Sequence, residues 1–100
     1  MKIAVTYDNG NVFQHFGRTE NFKVYTVDNN EIISTEMISS NGEGHGALAN
    51  LLATNDINVV ICGGLGDGAL NALNNAGIEV CAGAEGNTDE VVQAYLDGTL

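Results

Sequence analysis

The sequence predicts an α/β fold: a mixed five-stranded sheet with helices on both faces, in the element order βββαβαβα. In the second half, β-prone apolar runs alternate with segments whose apolar residues repeat at helical spacing, as in parallel strands joined by helices. In the first half, two β-prone segments flank a short turn, which is typical of an antiparallel hairpin. The 100 residues, 44% of them apolar, suffice for one compact domain, which we expect to span residues 1–100.

The first three strands are predicted before residue 40. Residues 3–7 form a short β-prone run that ends at the turn-forming residues 8–11 (Asp-Asn-Gly-Asn). Segments 22–27 and 32–38 are also β-prone, and the asparagines between them, within residues 28–31, tolerate the positive φ of a tight turn. The second and third strands should therefore form the hairpin.

The second half follows a glycine-rich stretch, residues 39–46. The predicted elements are a helix at 47–54, a strand at 59–62, a helix at 69–76, a strand at 78–81 and a last helix between Asn87 and Gly98. Gly77 suits the left-handed position that follows a helix, and Asn87 with Glu90 three residues later resembles a capping box. The loops after the first, fourth and fifth strands should share one edge of the sheet.

The net charge limits which partners the protein can bind. The chain has three basic residues (Lys2, Arg18 and Lys23) and 13 acidic ones, which gives a net charge of −10. Such a chain repels phosphate backbones and anionic lipids, so we expect neither nucleic acid nor membrane as a partner. The amino-terminal apolar run is too short for a secretory signal and no run has membrane-spanning length, which predicts a cytoplasmic protein with reduced cysteines.

The turn at residues 63–68 is the first candidate site. Gly64-Leu65-Gly66-Asp67-Gly68-Ala69 satisfies the dinucleotide pattern G-x-G-x-x-[GA] between a predicted strand and helix, and Glu85 lies about 20 residues further on. However, only one βαβ unit is present, without a second half to hold a nicotinamide or flavin. The glycines are equally explained by a tight turn with close helix packing, so a nucleotide or small-anion site stays an alternative.

Two histidines and two cysteines are candidate metal ligands. His15 lies in a loop between aromatic residues, and His45 is surrounded by glycines that let a ligand approach the backbone closely. Cys62 and Cys81 each end a predicted parallel strand. All four residues are also explained by ordinary packing, and the lack of C-x-x-C or H-x-x-H spacing argues against a preformed zinc site.

Catalytic patterns are weak. Asp8 could bind a metal ion with Asp67 or Glu85, as carboxylates do in nucleases, but Asp8-Asn9-Gly10 is also what an Asx turn requires. No Ser-His-Asp or Cys-His arrangement is recognisable. We therefore expect a protein that is not an enzyme.

The chain as a whole resembles the dinitrogenase iron–molybdenum cofactor biosynthesis family. The resemblance rests on Asp8 followed by His15-Phe16-Gly17-Arg18, on His45-Gly46 leading into residues 47–52 (ALANLL), on residues 59–66 (VVICGGLG) with Ala69, on Ala76-Gly77-Ile78, and on Gly86 through residues 95–100 (YLDGTL). It implies a ribonuclease H-like fold without the nuclease carboxylates. It also implies a non-catalytic role in binding or carrying an iron–sulfur or iron–molybdenum cofactor, or its precursor, as cargo, with a cluster donor or acceptor protein as partner.

The same resemblance implies where the cargo would bind. The histidine of the His-Phe-Gly motif, here His15, is the best cofactor contact, and the turns at 42–46 and 63–68 would line its cavity. The expected cofactor contacts are His15, Phe16, Gly17, Arg18, His45, Gly63, Gly64 and Gly66, and the expected metal ligands are His15, His45, Cys62 and Cys81. Asp67-Gly68 departs from the family pattern and would add negative charge beside the cargo. A ligand-free protein-interaction domain is the remaining alternative.

Overall fold

Six strands form one mixed sheet in the computed structural model, which describes residues 1–42 and 45–100, with the side chains at 45 and 46 left undescribed. The strands are β1 (Lys2–Asp8), β2 (Asn11–Val12), β3 (Asn21–Asp28), β4 (Glu31–Ser39), β5 (Val59–Ile61) and β6 (Glu79–Cys81). The α-helices are α1 (His45–Thr54), α2 (Asp67–Asn75) and α3 (Thr88–Asp97), and a 3-10 turn covers Phe16–Arg18.

The central strand is β1, in the order β4-β3-β1-β5-β6, with β2 paired to the end of β1. β3 and β4 form the predicted hairpin and run antiparallel to their neighbours, whereas β5 and β6 run parallel to β1. Ile3, Ala4 and Val5 of β1 are fully buried, as expected of a strand covered on both faces. None of the described helices, which have at most 10 residues, has the length and apolar character needed to cross a membrane.

The predicted fold class is wrong. The sheet has six strands, not five, and the structure gives no support to the ribonuclease H-like assignment. The additional strand, β2, folds back on Tyr7 and Asp8 across a turn in which Asn9 and Gly10 have positive φ (48° and 88°). A strand of two residues is too short to show alternation, so the sequence reveals only its turn. What the structure does show is a small α/β domain with a mixed sheet and three helices.

Separate apolar cores cover the two faces of the sheet. On one face, α1 and α2 pack against β-strand residues, with Phe16, Phe22, Leu48, Leu52, Val60, Cys62 and Leu73 among the buried side chains. On the other face, α3 contributes Val91 and Val92, which pack with the sheet residues Ile3, Val5, Tyr25, Val27 and Ile61. Each fully buried aliphatic or aromatic side chain stabilises the fold by roughly 1.5–3 kcal/mol relative to exposure.

The start of α3 is attached to β3 by polar contacts. Asn87 is the N-cap, and its Oδ1 accepts a hydrogen bond from the Glu90 N–H (3.0 Å). The buried Tyr25 hydroxyl hydrogen-bonds to Asp89 and to Thr88, and the Lys23 ammonium lies 2.9 Å from Asp89. The hydrogen bond from Tyr25, followed by that from Lys23, lowers the pKa of Asp89. The pKa of Tyr25 is raised, mainly by burial.

The loops after β1, β5 and β6 meet at one edge of the sheet, as the sequence predicts. Backbone hydrogen bonds join them: Gly64 N–H to Gln14 O (2.7 Å), Phe16 N–H to Gly64 O (3.0 Å), Gly83 N–H to Gly63 O (2.8 Å) and Val12 N–H to Gly86 O (2.8 Å). The loop after β1 is also tied to its own strand, because the Thr6 hydroxyl donates to the Phe13 carbonyl (2.8 Å). Hydrogen bonds therefore connect all three loops to one another or to the sheet.

Gln14 packs directly over Gly63. The Gln14 amide donates to the carbonyls of Val12 and Ala84, each at 3.1 Å, and so spans two loops. A Cβ atom at Gly63 would lie 2.6 Å from the Gln14 Cα and 2.7 Å from its Oε1, closer than real Cβ contacts come. Glycine at 63 is therefore required by close approach of the backbone.

We expect Gly63→Ala to lower the free energy of unfolding by about 1–3 kcal/mol, the usual effect of overpacking. This free energy is measured by chemical denaturation, followed by far-UV circular dichroism because the chain has no tryptophan for fluorescence. Gly66→Ser is the matched control, because Gly66 has open space around its Cβ position, an extended backbone and the N-cap place of α2. Equal destabilisation by both changes would contradict the close-approach explanation.

The lowered pKa of Asp89 predicts an acid-sensitive attachment of α3. Its contribution to stability is present above the ordinary carboxyl pKa and is lost as pH falls below about 4 through the lowered value. Unfolding free energies measured from pH 6 down to pH 2.5 should therefore fall less steeply in Asp89→Asn than in wild type. Asp28→Asn, at an exposed carboxylate without a side-chain partner among the described residues, should keep the wild-type slope.

Candidate functional site

A cavity of about 380 Å³ opens where the loop after β1 meets the turn after β5. It is lined by His15, Phe16, Gly17, Arg18, Gly64, Leu65, Gly66, Gly68 and Ala69. His15 and Gly64 form an isolated parallel bridge, so the two walls are joined through their backbones. We call this space the His15 cavity.

Alternation along the loop presents His15 to the cavity. Phe16 is fully buried and packs against Phe22, with ring centroids 5.9 Å apart, which anchors the loop in the core. Its neighbour His15 is consequently exposed, with its ring edge against Phe13 at a centroid distance of 6.1 Å. Phe16 thus fixes the position from which the imidazole can contact a ligand.

The polar groups of the His15 cavity favour a negatively charged ligand. Arg18 supplies a guanidinium, and α2 begins at this wall with Gly66 as an N-cap that provides no side-chain hydrogen bond. The first N–H groups of α2 are thus available, and the helix dipole adds partial positive charge there. None of the described residues that line the cavity is acidic. Asp67 belongs to the first turn of α2, between two lining residues, but is not itself part of the lining.

A second cavity, of about 480 Å³, lies on the other side of Arg18. It is lined by Gly17, Arg18, Thr19, Glu20, Ser39, Ser40 and Gly42. It shares Gly17 and Arg18 with the His15 cavity, but it adds hydroxyl groups and a carboxylate and no described imidazole, so the His15 cavity is the better candidate. The glycine-rich turn 42–46 was predicted to line the cavity with His15, but Gly42 lines this second cavity instead. Residues 43–44 and the side chains at 45 and 46, including that of His45, lie outside the described part of the chain.

The two cysteines point to opposite faces of the sheet. Cys81 pairs with Ile61, the last residue of β5, and Cys62 directly follows Ile61, so the side chains of the two cysteines lie on opposite faces. Cys62 is fully buried in the core under α1 and α2, whereas Cys81 is half-buried against the α3 core. Burial, with a smaller effect of Cys81, raises the pKa of Cys62 to about 11. Burial and then Glu79 also raise the pKa of Cys81. Both changes disfavour the thiolate that binds metals.

The structure brings together six of the predicted cofactor contacts. His15, Phe16, Gly17, Arg18, Gly64 and Gly66 all line one cavity. Gly63 lies beneath Gln14 and does not line it, and neither cysteine reaches it. Within the described residues, no three or more His, Cys, Asp or Glu side chains form a group that could hold a metal ion. The polar groups that the site offers to a ligand are one imidazole, one guanidinium and backbone N–H groups.

One residue that positions the site carries no signal in the sequence. Gln14 holds the loop by spanning its neighbours, whereas Leu65, Gly68 and Ala69, which complete the lining, belong to the turn motif at 64–69. The role of Gln14 depends on which loops meet in the folded chain, which a single sequence does not contain. The pattern at 64–69 did indicate a ligand-facing turn, although the dinucleotide interpretation is only one reading of it.

Comparison with known proteins gives the family. The family model described as dinitrogenase iron-molybdenum cofactor matches residues 1–98. The protein MJ0580 of Methanocaldococcus jannaschii is 32% identical over 105 residues, covering 100% of this chain and 89% of its own.

Solved structures agree over the whole fold. The crystal structure of PH0822 superposes with a TM-score of 0.94 at 28% identity, covering 100% of this chain and 92% of the other. The apo form of the orange protein from Desulfovibrio gigas has a TM-score of 0.84 at 33% identity, covering 98% and 88%. The chain belongs to the dinitrogenase iron–molybdenum cofactor family.

Proposed function

We propose that this protein is a non-catalytic binding or carrier protein for an iron–sulfur or iron–molybdenum type cluster, or its precursor, taken up as cargo in the His15 cavity. The observation that carries the proposal is the meeting of His15, Arg18 and the uncapped start of α2 around one space. Family membership supports a link to this cofactor class. The relative that is 33% identical has a structure named as an apo form.

The chemistry of the lining fits an anionic cluster. A neutral imidazole is a common ligand of iron and similar metals, and His15 is exposed to provide one. Backbone N–H groups at a helix start bind anions without a cationic side chain, and Arg18 adds charge-assisted hydrogen bonding. In a chain of net charge −10, this cavity is a local exception in which the described lining contains no carboxylate.

The sparse ligand set favours transport over permanent residence. A resident cluster is usually held by several thiolates, whereas both cysteines here lie away from the cavity with raised pKa values. A single imidazole anchor leaves most coordination positions of a cluster to its own sulfides or to a receiving protein. Such attachment permits release to an acceptor, which is what a carrier requires.

The proposal assigns His15 a binding role and no catalytic one. The imidazole is exposed, and its edge contact with Phe13 holds the orientation of the ring.

The central test is anaerobic reconstitution with iron and sulfide, or with isolated iron–molybdenum cluster. Wild type should acquire oxygen-sensitive visible absorption and bound metal, and His15→Ala should retain about a tenth of it or less, since outer-shell changes alone weaken metal sites 10–100-fold. His45→Ala measures the second histidine separately. Colourless, metal-free wild-type protein after reconstitution would contradict the proposal.

The two alternative functions predict different results for the same wild-type and variant proteins. A nucleotide or small-anion module would be stabilised by roughly 2.7 kcal/mol at ligand concentrations about a hundred times the dissociation constant, whether or not His15 is present. A ligand-free interaction domain would show equal metal content in wild type and in the His15/His45 double-alanine variant. Either outcome would replace the carrier proposal.

The positions of the cysteines predict that they are not needed for cargo binding. Cys81→Ser and Cys62→Ala should keep reconstituted absorption close to the wild-type level, because neither thiol lines the His15 cavity. In the protein without cargo, a thiol reagent at pH 8 should modify the half-buried Cys81 well before Cys62, whose pKa is about 11. Mass spectrometry of time points follows both sites. Loss of absorption in Cys81→Ser would place cargo on the opposite face of the sheet.

A further inference from the structure

One long edge of the sheet is open. β4 (Glu31–Ser39) has nine residues and pairs only with β3 among the described strands, whereas the opposite edge strand, β6, has three residues. From Ser34 to Ser39 the register with β3 is regular. Alternate N–H and C=O groups of this segment consequently point outward, ready to pair with another extended chain.

The usual protection of sheet edges is incomplete in β4. Edge strands are commonly blocked by lysine, proline or bulges, and this strand has neither lysine nor proline. Its single bulge, at Ile33, lies near the hairpin turn, and the pairing of residues 34–39 with β3 is regular. Met37 and Ile33 are 49% and 61% exposed. The other exposed large apolar residues among those described are at the chain ends. Of the described strands, only β4 therefore exposes large apolar side chains to this extent.

The charge around β4 selects its partner. Glu31 and Glu36 lie on the strand, and Lys23, the basic residue of the neighbouring strand β3, is occupied by Asp89 at 2.9 Å. Two copies of this edge would bring carboxylates together in a protein of net charge −10, which opposes self-pairing. The same carboxylates attract a basic strand.

The register of β4 with β3 predicts which side chains a partner strand would need. Glu36 pairs with Val24 and Met37 with Lys23, so these two edge side chains leave opposite faces of the sheet. A strand added beside them would place a cation opposite Glu36 on one face and an apolar residue opposite Met37 on the other. An alternating basic and apolar sequence satisfies both faces together.

We propose that residues 34–39 of β4 dock an extended segment of a partner protein, with alternating basic and apolar side chains, as an additional strand of the sheet. This surface lies outside the lining of the His15 cavity, and the inference does not depend on what that cavity holds. Main-chain hydrogen bonds supply the affinity, and Glu36 and Met37 supply the selection.

The probe is a synthetic peptide of alternating lysine and valine, titrated into isotope-labelled protein while backbone amide shifts are recorded. The largest shifts should lie in β4 and in β3 beside it. N-methylation of alternate peptide residues, which removes outward donors but keeps the charge, should weaken binding more than about tenfold, given about 1 kcal/mol for each lost hydrogen bond.

A charge exchange separates selection from general attraction. Glu36→Lys should weaken the lysine–valine peptide roughly fivefold and bind a glutamate–valine peptide better by a similar factor. Glu85→Lys, an exposed glutamate in another loop with the same change in net charge, is the matched control and should change either affinity much less.

The proposal is overturned if N-methylation has no effect, if the two lysine variants behave alike, or if the shifts map away from β4. Sedimentation of the protein alone provides a further test. A dimer that Glu36→Lys alters would show that a second copy, and not a basic strand, occupies the edge. Unchanged thermal unfolding of both variants establishes that a loss of binding is not a loss of fold.

Discussion

The backbone pairing of Gln14 and Phe16 with Gly64 is the constraint on which the candidate site depends. These two hydrogen bonds, of 2.7 and 3.0 Å, continue the parallel arrangement of β1 and β5 beyond the ends of the strands. The pairing requires glycine at 63, because Gln14 occupies the space of a side chain there. With the backbones fixed, Phe16 enters the core and His15 faces the cavity. Main-chain geometry and packing thus determine the position of the imidazole, and no hydrogen bond reaches its ring from the part of the chain that the structure describes.

The same pairing explains how a small acidic protein could form the proposed anion-binding space. Acidic residues flank this space, with Glu20 in the loop after β1 and Asp67 at the start of α2, but the residues that line it contribute one guanidinium, one imidazole, and backbone and apolar groups. Backbone N–H groups provide positive potential that does not alter the net charge. A ligand is consequently attracted over a short range, and the rest of the surface repels other anions.

The order of strands and helices was largely predictable, because the long elements have clear periodicity and the turns contain asparagine or glycine. β2 was not, since two residues show no alternation. In the site, His15, Gly64 and Gly66 were identified from their motifs, but Gln14 was not, because its contacts join residues 70 positions apart. The divergence of Cys62 and Cys81 also escaped prediction. Both end parallel strands, and a one-residue difference in register reverses the face on which a side chain lies.

That divergence has a consequence for chemistry in air. A disulfide requires two Cβ atoms within about 3.5–4.5 Å and side chains that point toward each other, and Cys62 and Cys81 leave the sheet in opposite directions. Forming a bond between them would require β5 and β6 to separate. Oxidising conditions that destroy a labile ligand therefore leave this polypeptide without an internal cross-link. For the proposed carrier, exposure to air would cost the cargo but would not cross-link the protein that held it.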